Sequence, residues 1–183
     1  MGTQVHRLFF ALLPDAALSV EIERTVAAIK AGGLVRGHWV NASKLHLTLQ
    51  FLGDFFDADD AIARSRRAGA NVRRAPFEFT LDRAATFPRR FNPPCVLRCA
   101  AESESELRSF HAELGMALRV AGLGEHLERQ PYLPHLTIAY AKSALAADIA
   151  IEPIIWKADG FALMDSHVGR STHEQIERWP LRA

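Results

Sequence analysis

The sequence predicts an α+β protein built on antiparallel β-sheets. Its predicted helices are scattered among pairs of strands, and the strands of a pair are joined by short turns. This order favours antiparallel pairing, because parallel neighbours need a long crossover connection between them. The Gly-rich phosphate-binding signatures typical of doubly wound parallel sheets do not occur in the sequence.

Length and composition are those of one globular domain. The chain has 183 residues, of which 49% are hydrophobic and 23% are charged, so an intrinsically disordered chain is excluded. Its 22 basic residues nearly balance 21 acidic ones, which leaves a net charge of +1. A broadly basic nucleic-acid binder is therefore excluded, and any site for an anion must be local.

The first third of the chain alternates strands with helices. Residues 5–13 form an apolar run that predicts a buried strand. Asp15 is the expected N-cap of a helix over residues 16–31, which Gly32 and Gly33 bring to an end. Two further strands are predicted over residues 34–40 and 45–52, and an exposed helix over the charged residues 57–74.

The remainder is richer in strands. Within residues 76–100, Phe77, Phe79 and Leu81 alternate with polar residues, and a proline-containing loop separates them from residues 95–100, which predicts a pair of strands. The apolar stripe of residues 102–121 predicts a helix. Three more strands are expected, over residues 135–140, 153–164 and 172–180.

No targeting or membrane segment is expected. The apolar run from Leu8 to Leu13 is too short for a signal peptide, and Pro14-Asp15 interrupts it. No apolar run reaches the roughly 18 residues of a membrane span. Cys95 and Cys99 are too sparse for a disulfide framework, so we expect a cytoplasmic protein with reduced thiols.

One short motif occurs twice. Residues 45–49 read Leu-His-Leu-Thr-Leu, and residues 134–138 read Pro-His-Leu-Thr-Ile. Because side chains two apart on a strand share a face, the histidine and threonine of each motif project together, with the intervening leucine directed into the core. A single His-x-Thr is common as a structural pair in a sheet, but its repetition in apolar surroundings favours a shared site.

Two histidines and two threonines suit phosphodiester chemistry. His46 and His135 can divide the work of general acid and general base, since an imidazole titrates near neutral pH. The hydroxyls of Thr48 and Thr137 can donate to phosphate oxygens. A zinc site on the two histidines is the rival interpretation, but no Asp, Glu or Cys stands near them at ligand spacing. The motif therefore predicts catalysis without a metal.

The motifs and their frame resemble a known family. The chain is similar to the RNA 2′,3′-cyclic phosphodiesterases of the two-histidine phosphoesterase superfamily (LigT-like proteins, formerly called 2′-5′ RNA ligases). The resemblance extends over almost the whole chain. It rests on Arg7 to Ala11, Trp39-Val40, Leu45 to Gly53, Phe87-Pro88, Arg129 to Thr137, Phe161 to Leu163 and Trp179 to Leu181.

This resemblance implies a fold and an activity. The fold is bilobal: residues 1–183 form a single domain of two antiparallel sheets flanked by helices around a central cleft, with pseudo-twofold symmetry. Each lobe contributes one His-x-Thr strand. The activity is hydrolysis of an RNA 2′,3′-cyclic phosphate end to a 2′-phosphate, with 2′-5′ ligation as related reverse chemistry. By this analogy, His46 is the general acid and His135 the general base, while Thr48 and Thr137 hold the phosphate.

The resemblance also extends to cofactors and substrate contacts. It implies no cofactor and no metal, and an RNA end or a small cyclic nucleotide as partner. A monomer is expected. Phe51 is a candidate for stacking on the terminal base, although its odd spacing from His46 equally predicts a core phenylalanine. Tyr140 stands where family members often have an arginine, and Arg129 is a possible substitute for that charge.

The sequence departs from the family pattern at two positions, and these differences leave other functions open. The family tends to have a glycine followed four residues later by tyrosine, whereas this chain has Gly169 and His173, and His173 is interpreted as a surface residue. With Tyr140 in place of arginine, the substrate could instead be ADP-ribose cyclic phosphate or a 2′-5′-linked oligoadenylate. A non-catalytic module that binds RNA ends is the alternative from a different class.

Overall fold

The computed structural model describes residues 5–167 and 172–183, with only the backbone of Thr172. Strands and three α-helices alternate along this part of the chain. The helices are α1 (Ala16–Ala31), α2 (Asp59–Asn71) and α3 (Glu104–Val120). The strands are β1 (His6–Leu12), β2 (Gly37–Trp39), β3 (Leu47–Phe55), β4 (Phe77–Thr86), β5 (Pro94–Cys99), β6 (His135–Ala141), β7 (Ile149–Ala158), β8 (Gly160–His167) and β9 (Thr172–Pro180).

The predicted α+β class with antiparallel sheets is confirmed. The strand order is β7-β4-β5-β6-β3-β1-β8-β9, with β2 paired to β6, and neighbouring strands are antiparallel throughout the described residues. β3 and β6 meet through one residue pair, Leu47 with Leu136. Two half-sheets are thus joined edge to edge at this pair into one nine-stranded network.

Helix α1 forms where its capping signals lie. The Asp15 side chain accepts a hydrogen bond of 2.8 Å from the backbone N–H of Leu18, as an N-cap does. Leu18, Ile22 and Ile29 are its buried residues. After the helix the chain turns at Gly33, whose φ of +70° lies in the left-handed region that favours glycine. The bounds and both end signals agree with the prediction.

The prediction of one strand over residues 153–164 is wrong. Two strands occupy this stretch, and Asp159 separates them. β7 pairs with β4 in one half-sheet, whereas β8 pairs with β1 in the other. β8 is buried over most of its length, whereas β7 alternates buried and exposed residues. The two strands therefore follow different patterns within one stretch, and no single periodicity marks the change of partner. The predicted second strand, residues 34–40, is also shorter, with three residues in β2.

The sheet has a helix-covered face and a cleft face. Leu8, Phe10 and Leu12 of β1 belong to the main core, which also includes buried residues of all three helices. Phe9 and Ala11 point the other way and form a smaller apolar cluster with residues of β8. In the described part of the chain, no helix combines the length and the apolar character that crossing a membrane would need.

Candidate active site

The join between the half-sheets aligns the two His-Leu-Thr motifs. Leu47 and Leu136, the middle residues of the motifs, are each other's partners in the antiparallel β3–β6 pair, and both are completely buried. Counting one residue outward from this pair sets His46 across from Thr137, and His135 across from Thr48. The repeat in the sequence therefore becomes an approximate twofold in space, with the leucines on its axis.

Both imidazoles are held in the same way. Nδ1 of His46 lies 2.7 Å from the carbonyl oxygen of Lys44, and Nδ1 of His135 lies 2.7 Å from that of Leu133. Since a carbonyl only accepts, each Nδ1 carries the proton and donates it two residues back along the chain. In the neutral rings Nε2 is consequently left unprotonated, so it is the nitrogen available for proton transfer.

An aromatic ring covers each histidine. The centroid of Phe9 lies 4.8 Å from that of His46, and Phe87 stands edge-on to His135 at 4.7 Å. The pKa of His46 is lowered to about 4, chiefly by burial and to a smaller extent by His173 and His135, while the hydrogen bond to Lys44 opposes the shift. Burial also lowers the pKa of His135, with a smaller contribution from Arg98. In the free protein both rings are therefore neutral at neutral pH.

The predicted residues line two adjoining cavities that share Thr48. A cavity of about 700 Å³ is lined by His46, Thr48, Thr137 and Tyr140. A smaller one of about 200 Å³ is lined by His135, Phe51 and, again, Thr48. Arg129 is exposed and lines neither cavity, although its neighbours Glu128 and Gln130 line the smaller one. The structure thus brings together six of the seven predicted residues.

A β-bulge explains how Phe51 reaches the cleft. In the β1–β3 pair, Phe10 is opposite Gln50 and Ala11 is opposite Thr48, so Leu49 has no partner of its own. The extra residue reverses the alternation of side chains beyond it. Phe51 therefore lies on the same side as Thr48, against the small apolar cluster, instead of in the main core that strict alternation predicts.

Tyr140 replaces the arginine that family members often have, so positive charge near the cleft must come from other residues. Tyr140 is 43% exposed at the rim of the larger cavity. Arg7 lines the same cavity, but Asp54 binds its guanidinium in two hydrogen bonds of 2.7 and 2.8 Å. Lys44 also lines it and has no ion pair among the described residues. Lys44 is thus the freest cation for a phosphate there.

The sequence did not reveal the position of His173. Its ring lies 5.4 Å from that of His46 and 5.7 Å from that of Phe9, on the wall of the larger cavity. Burial and the charge of Lys44 lower its pKa. The register of β9, in which His173 is opposite Ser166, places it there, and no local motif marks that register. Gly169, named with it above, lies outside the described residues.

A loop contact supports the centre of the site. The hydroxyl of Tyr132 donates a hydrogen bond of 2.9 Å to the backbone carbonyl of Thr48. Tyr132 also stacks on His111 at 4.1 Å between centroids. The segment leading into β6 is thereby fixed against β3, so that His135 and Thr48 stay in register. Two proton-transfer nitrogens and two hydroxyls converge here, an arrangement able to cleave a phosphodiester held between them.

Comparison with known proteins agrees with this geometry. A sequence model of the 2′-5′ RNA ligase superfamily matches residues 15–170. An RNA 2′,3′-cyclic phosphodiesterase of Geobacillus stearothermophilus is 32% identical over 101 residues, which are 55% of this chain and 31% of that protein. The match therefore spans about a third of the length of that relative.

Solved structures of Escherichia coli LigT are similar over their full length. The apo form has 27% identity and a TM-score of 0.73, with 98% of this chain and 99% of that chain covered. The complex with 3′-AMP has 26% identity and the same TM-score and coverage. Because the superfamily model covers most of the sequence and the fold agrees throughout, the chain belongs to the 2′-5′ RNA ligase superfamily.

Proposed function

We propose that the chain is a metal-independent phosphodiesterase that hydrolyses the 2′,3′-cyclic phosphate at an RNA end to a 2′-phosphate. The antiparallel alignment of the two His-Leu-Thr motifs about Leu47 and Leu136 carries this proposal. It supplies two imidazoles for the two proton transfers of hydrolysis, and a hydroxyl beside each. The name of the Geobacillus stearothermophilus relative supports the same reaction.

The reaction assigns a role to each of the four residues. Nε2 of His135 takes a proton from the attacking water, and Nε2 of His46 protonates the departing 3′ oxygen. Thr48 and Thr137 donate hydrogen bonds to the non-bridging oxygens. A protonated His46 is disfavoured in the free protein, where its pKa is about 4. The negative charge of a bound phosphodiester favours the protonated ring, so substrate binding itself prepares the acid.

The proposal extends to the partner and the state of the protein. The proposed ligand is an RNA end or a small cyclic nucleotide, bound by a cytoplasmic monomer in which both halves of the chain act as one domain. LigT has been crystallised with ATP and with 3′-AMP, which supports a nucleotide as the kind of ligand. The 2′-5′ ligation of RNA is the related reverse reaction that the same groups would catalyse.

Tyr140 favours a second substrate class. Where an arginine would bring charge to the phosphate, the tyrosine at the cavity rim offers one hydrogen bond and an exposed ring. A substrate with a second base or sugar could stack there, such as a 2′-5′-linked oligoadenylate or ADP-ribose cyclic phosphate. Ranking these against a cyclic-phosphate oligonucleotide by kcat/KM decides between them.

The proposed reaction is tested by product analysis. A short RNA ending in a 2′,3′-cyclic phosphate is incubated with the full chain in the presence of EDTA. We expect complete conversion to the 2′-phosphate. A 3′-phosphate product would contradict the proposed regiochemistry, and loss of turnover with EDTA would contradict the metal-independent mechanism. Binding of the RNA without turnover would instead identify a binding module.

Phe51 is expected to hold the terminal base by stacking. Base–aromatic stacking contributes about 1–3 kcal/mol, so Phe51→Ala should raise KM for an oligonucleotide roughly 5- to 150-fold, with little change in kcat. Phe51→Tyr keeps the ring and serves as the matched control. A substrate that lacks its terminal base should show no difference between the variants. An equal KM for wild type and Phe51→Ala would place the base elsewhere.

A further inference from the structure

We propose that the ends of β1 and β8 form a binding site for a divalent transition metal, of which zinc is the best fit, with His6, Asp165 and His167 as ligands. One donor atom from each residue, a ring nitrogen of each histidine and a carboxylate oxygen of the aspartate, lies within 4.8 Å of the other two. His167 also lines the larger cavity, but the proposed phosphodiesterase reaction uses none of these three residues.

Strand register places the three ligands on one face. His6 and His167 are directly opposite each other in the antiparallel β1–β8 pair. Asp165 precedes His167 by two residues on the same strand, so it points to the same side. The cluster therefore results from the regular pairing of two strands that are mostly buried, and it does not depend on a loop conformation.

The existing contacts leave one donor unsatisfied. Nδ1 of His6 lies 2.5 Å from Oδ2 of Asp165, so these two groups are already hydrogen-bonded to each other. Nδ1 of His167 lies 3.8 Å from the same oxygen, which is too far for a hydrogen bond. That nitrogen is buried and has no hydrogen-bond partner among residues 5–167 and 172–183. An ion between the three atoms would satisfy all of them at once.

The surroundings orient the ligands as a metal requires. Oε2 of Glu174 accepts a hydrogen bond of 3.1 Å from Nε2 of His167, which leaves the lone pair on Nδ1. Carboxylates that bind the second nitrogen of a histidine in this way are typical of metal sites. Oδ1 of Asp165 accepts from the backbone N–H of Arg7 at 3.1 Å, so Oδ2 is the oxygen left for an ion.

The donor set indicates the class of metal. Two imidazoles and one carboxylate favour zinc or cobalt over magnesium and calcium, which prefer oxygen ligands. Bonds of about 2.0–2.2 Å in a tetrahedral site separate the donors by about 3.3–3.5 Å. The pair His6–Asp165 must therefore open by roughly 1 Å as its proton leaves, and His167 must move inward. Three protein ligands leave the fourth position to water.

Cobalt and zinc titrations test the site. The full chain, first stripped with EDTA and then freed of it, is titrated with Co²⁺ and followed by its visible absorption. We expect one equivalent to give the intense bands of a four- or five-coordinate ion, which Zn²⁺ then removes. His6→Ala and His167→Ala should each weaken binding at least tenfold. His126→Ala, a histidine outside the cluster, is the matched control and should bind like wild type.

Thermal unfolding supplies a second readout. Zinc bound between β1 and β8 should raise the Tm of wild type and of His126→Ala but not that of His167→Ala. Absence of cobalt bands in wild type, or unchanged affinity in both cluster variants, would overturn the site. Turnover of the cyclic-phosphate substrate in EDTA tests the phosphodiesterase reaction separately, so one proposal can fail while the other stands.

Discussion

Replacement of either cleft histidine is expected to abolish turnover while leaving the fold intact. His46→Asn and His135→Asn are the informative variants, because an asparagine amide can still donate to the carbonyl of Lys44 or Leu133 but has no counterpart of Nε2. We expect kcat/KM for a cyclic-phosphate RNA to fall about 10²- to 10⁴-fold in each, since each removes one proton transfer.

The double variant sharpens this prediction. If the two rings act in one concerted step, His46→Asn combined with His135→Asn should be about as slow as either single variant, because groups that act as a unit are not additive. His126→Ala, in which the lost ring contacts Phe55 away from both cavities, is the control and should retain wild-type turnover. A single variant that keeps a tenth of wild-type kcat/KM would contradict the assigned roles.

The parts of the fold that follow local rules could be predicted from the sequence. Helix α1 has its N-cap at Asp15 and its stop at Gly32-Gly33, and the structure begins and ends it at the predicted residues. The motifs at His46 and His135 were recognisable because a strand period of two couples each histidine to a threonine. In both cases, the signal lies within a few neighbouring residues.

What could not be predicted depends on long-range pairing. Phe51 faces the cleft because of a bulge at Leu49, which is a mismatch between two strands and not a property of either. His173 reaches His46 through the register of β9 on β8. The strand break at Asp159 reflects a change of partner between half-sheets. Each is decided by a contact between residues far apart in the chain.

The second large effect is expected in the pH dependence of kcat/KM. The reactive free protein needs one histidine neutral and the other protonated, so kcat/KM is greatest between their two pKa values. Burial lowers both pKa values below 6.5. The maximum should therefore lie on the acid side of pH 6.5, and kcat/KM should fall about tenfold per pH unit well above it.

The profile of kcat should be displaced toward higher pH. A bound phosphodiester adds a negative charge beside both rings and raises their pKa values relative to the free protein. Profiles of kcat and kcat/KM at constant ionic strength measure the two sets of pKa values separately. A kcat/KM maximum well above pH 6.5, or coincident profiles, would contradict this electrostatic account of the site.

The pH dependence of protein stability tests the lowered pKa of His46 in the absence of substrate. In the unfolded chain His46 takes up a proton as the pH falls below about 6.5, whereas the folded protein resists protonation down to its pKa of about 4. The contribution of the neutral ring is complete above pH 6.5 and is lost as the pH falls toward 4. It amounts to at most about 3 kcal/mol, because the ring is partly exposed to the cleft.

His46→Asn should lose less stability than wild type over this pH interval, as urea unfolding at several pH values would show. An identical loss in both proteins would mean that His46 is not buried as a neutral ring, and the acid-side optimum of kcat/KM would lose its physical basis.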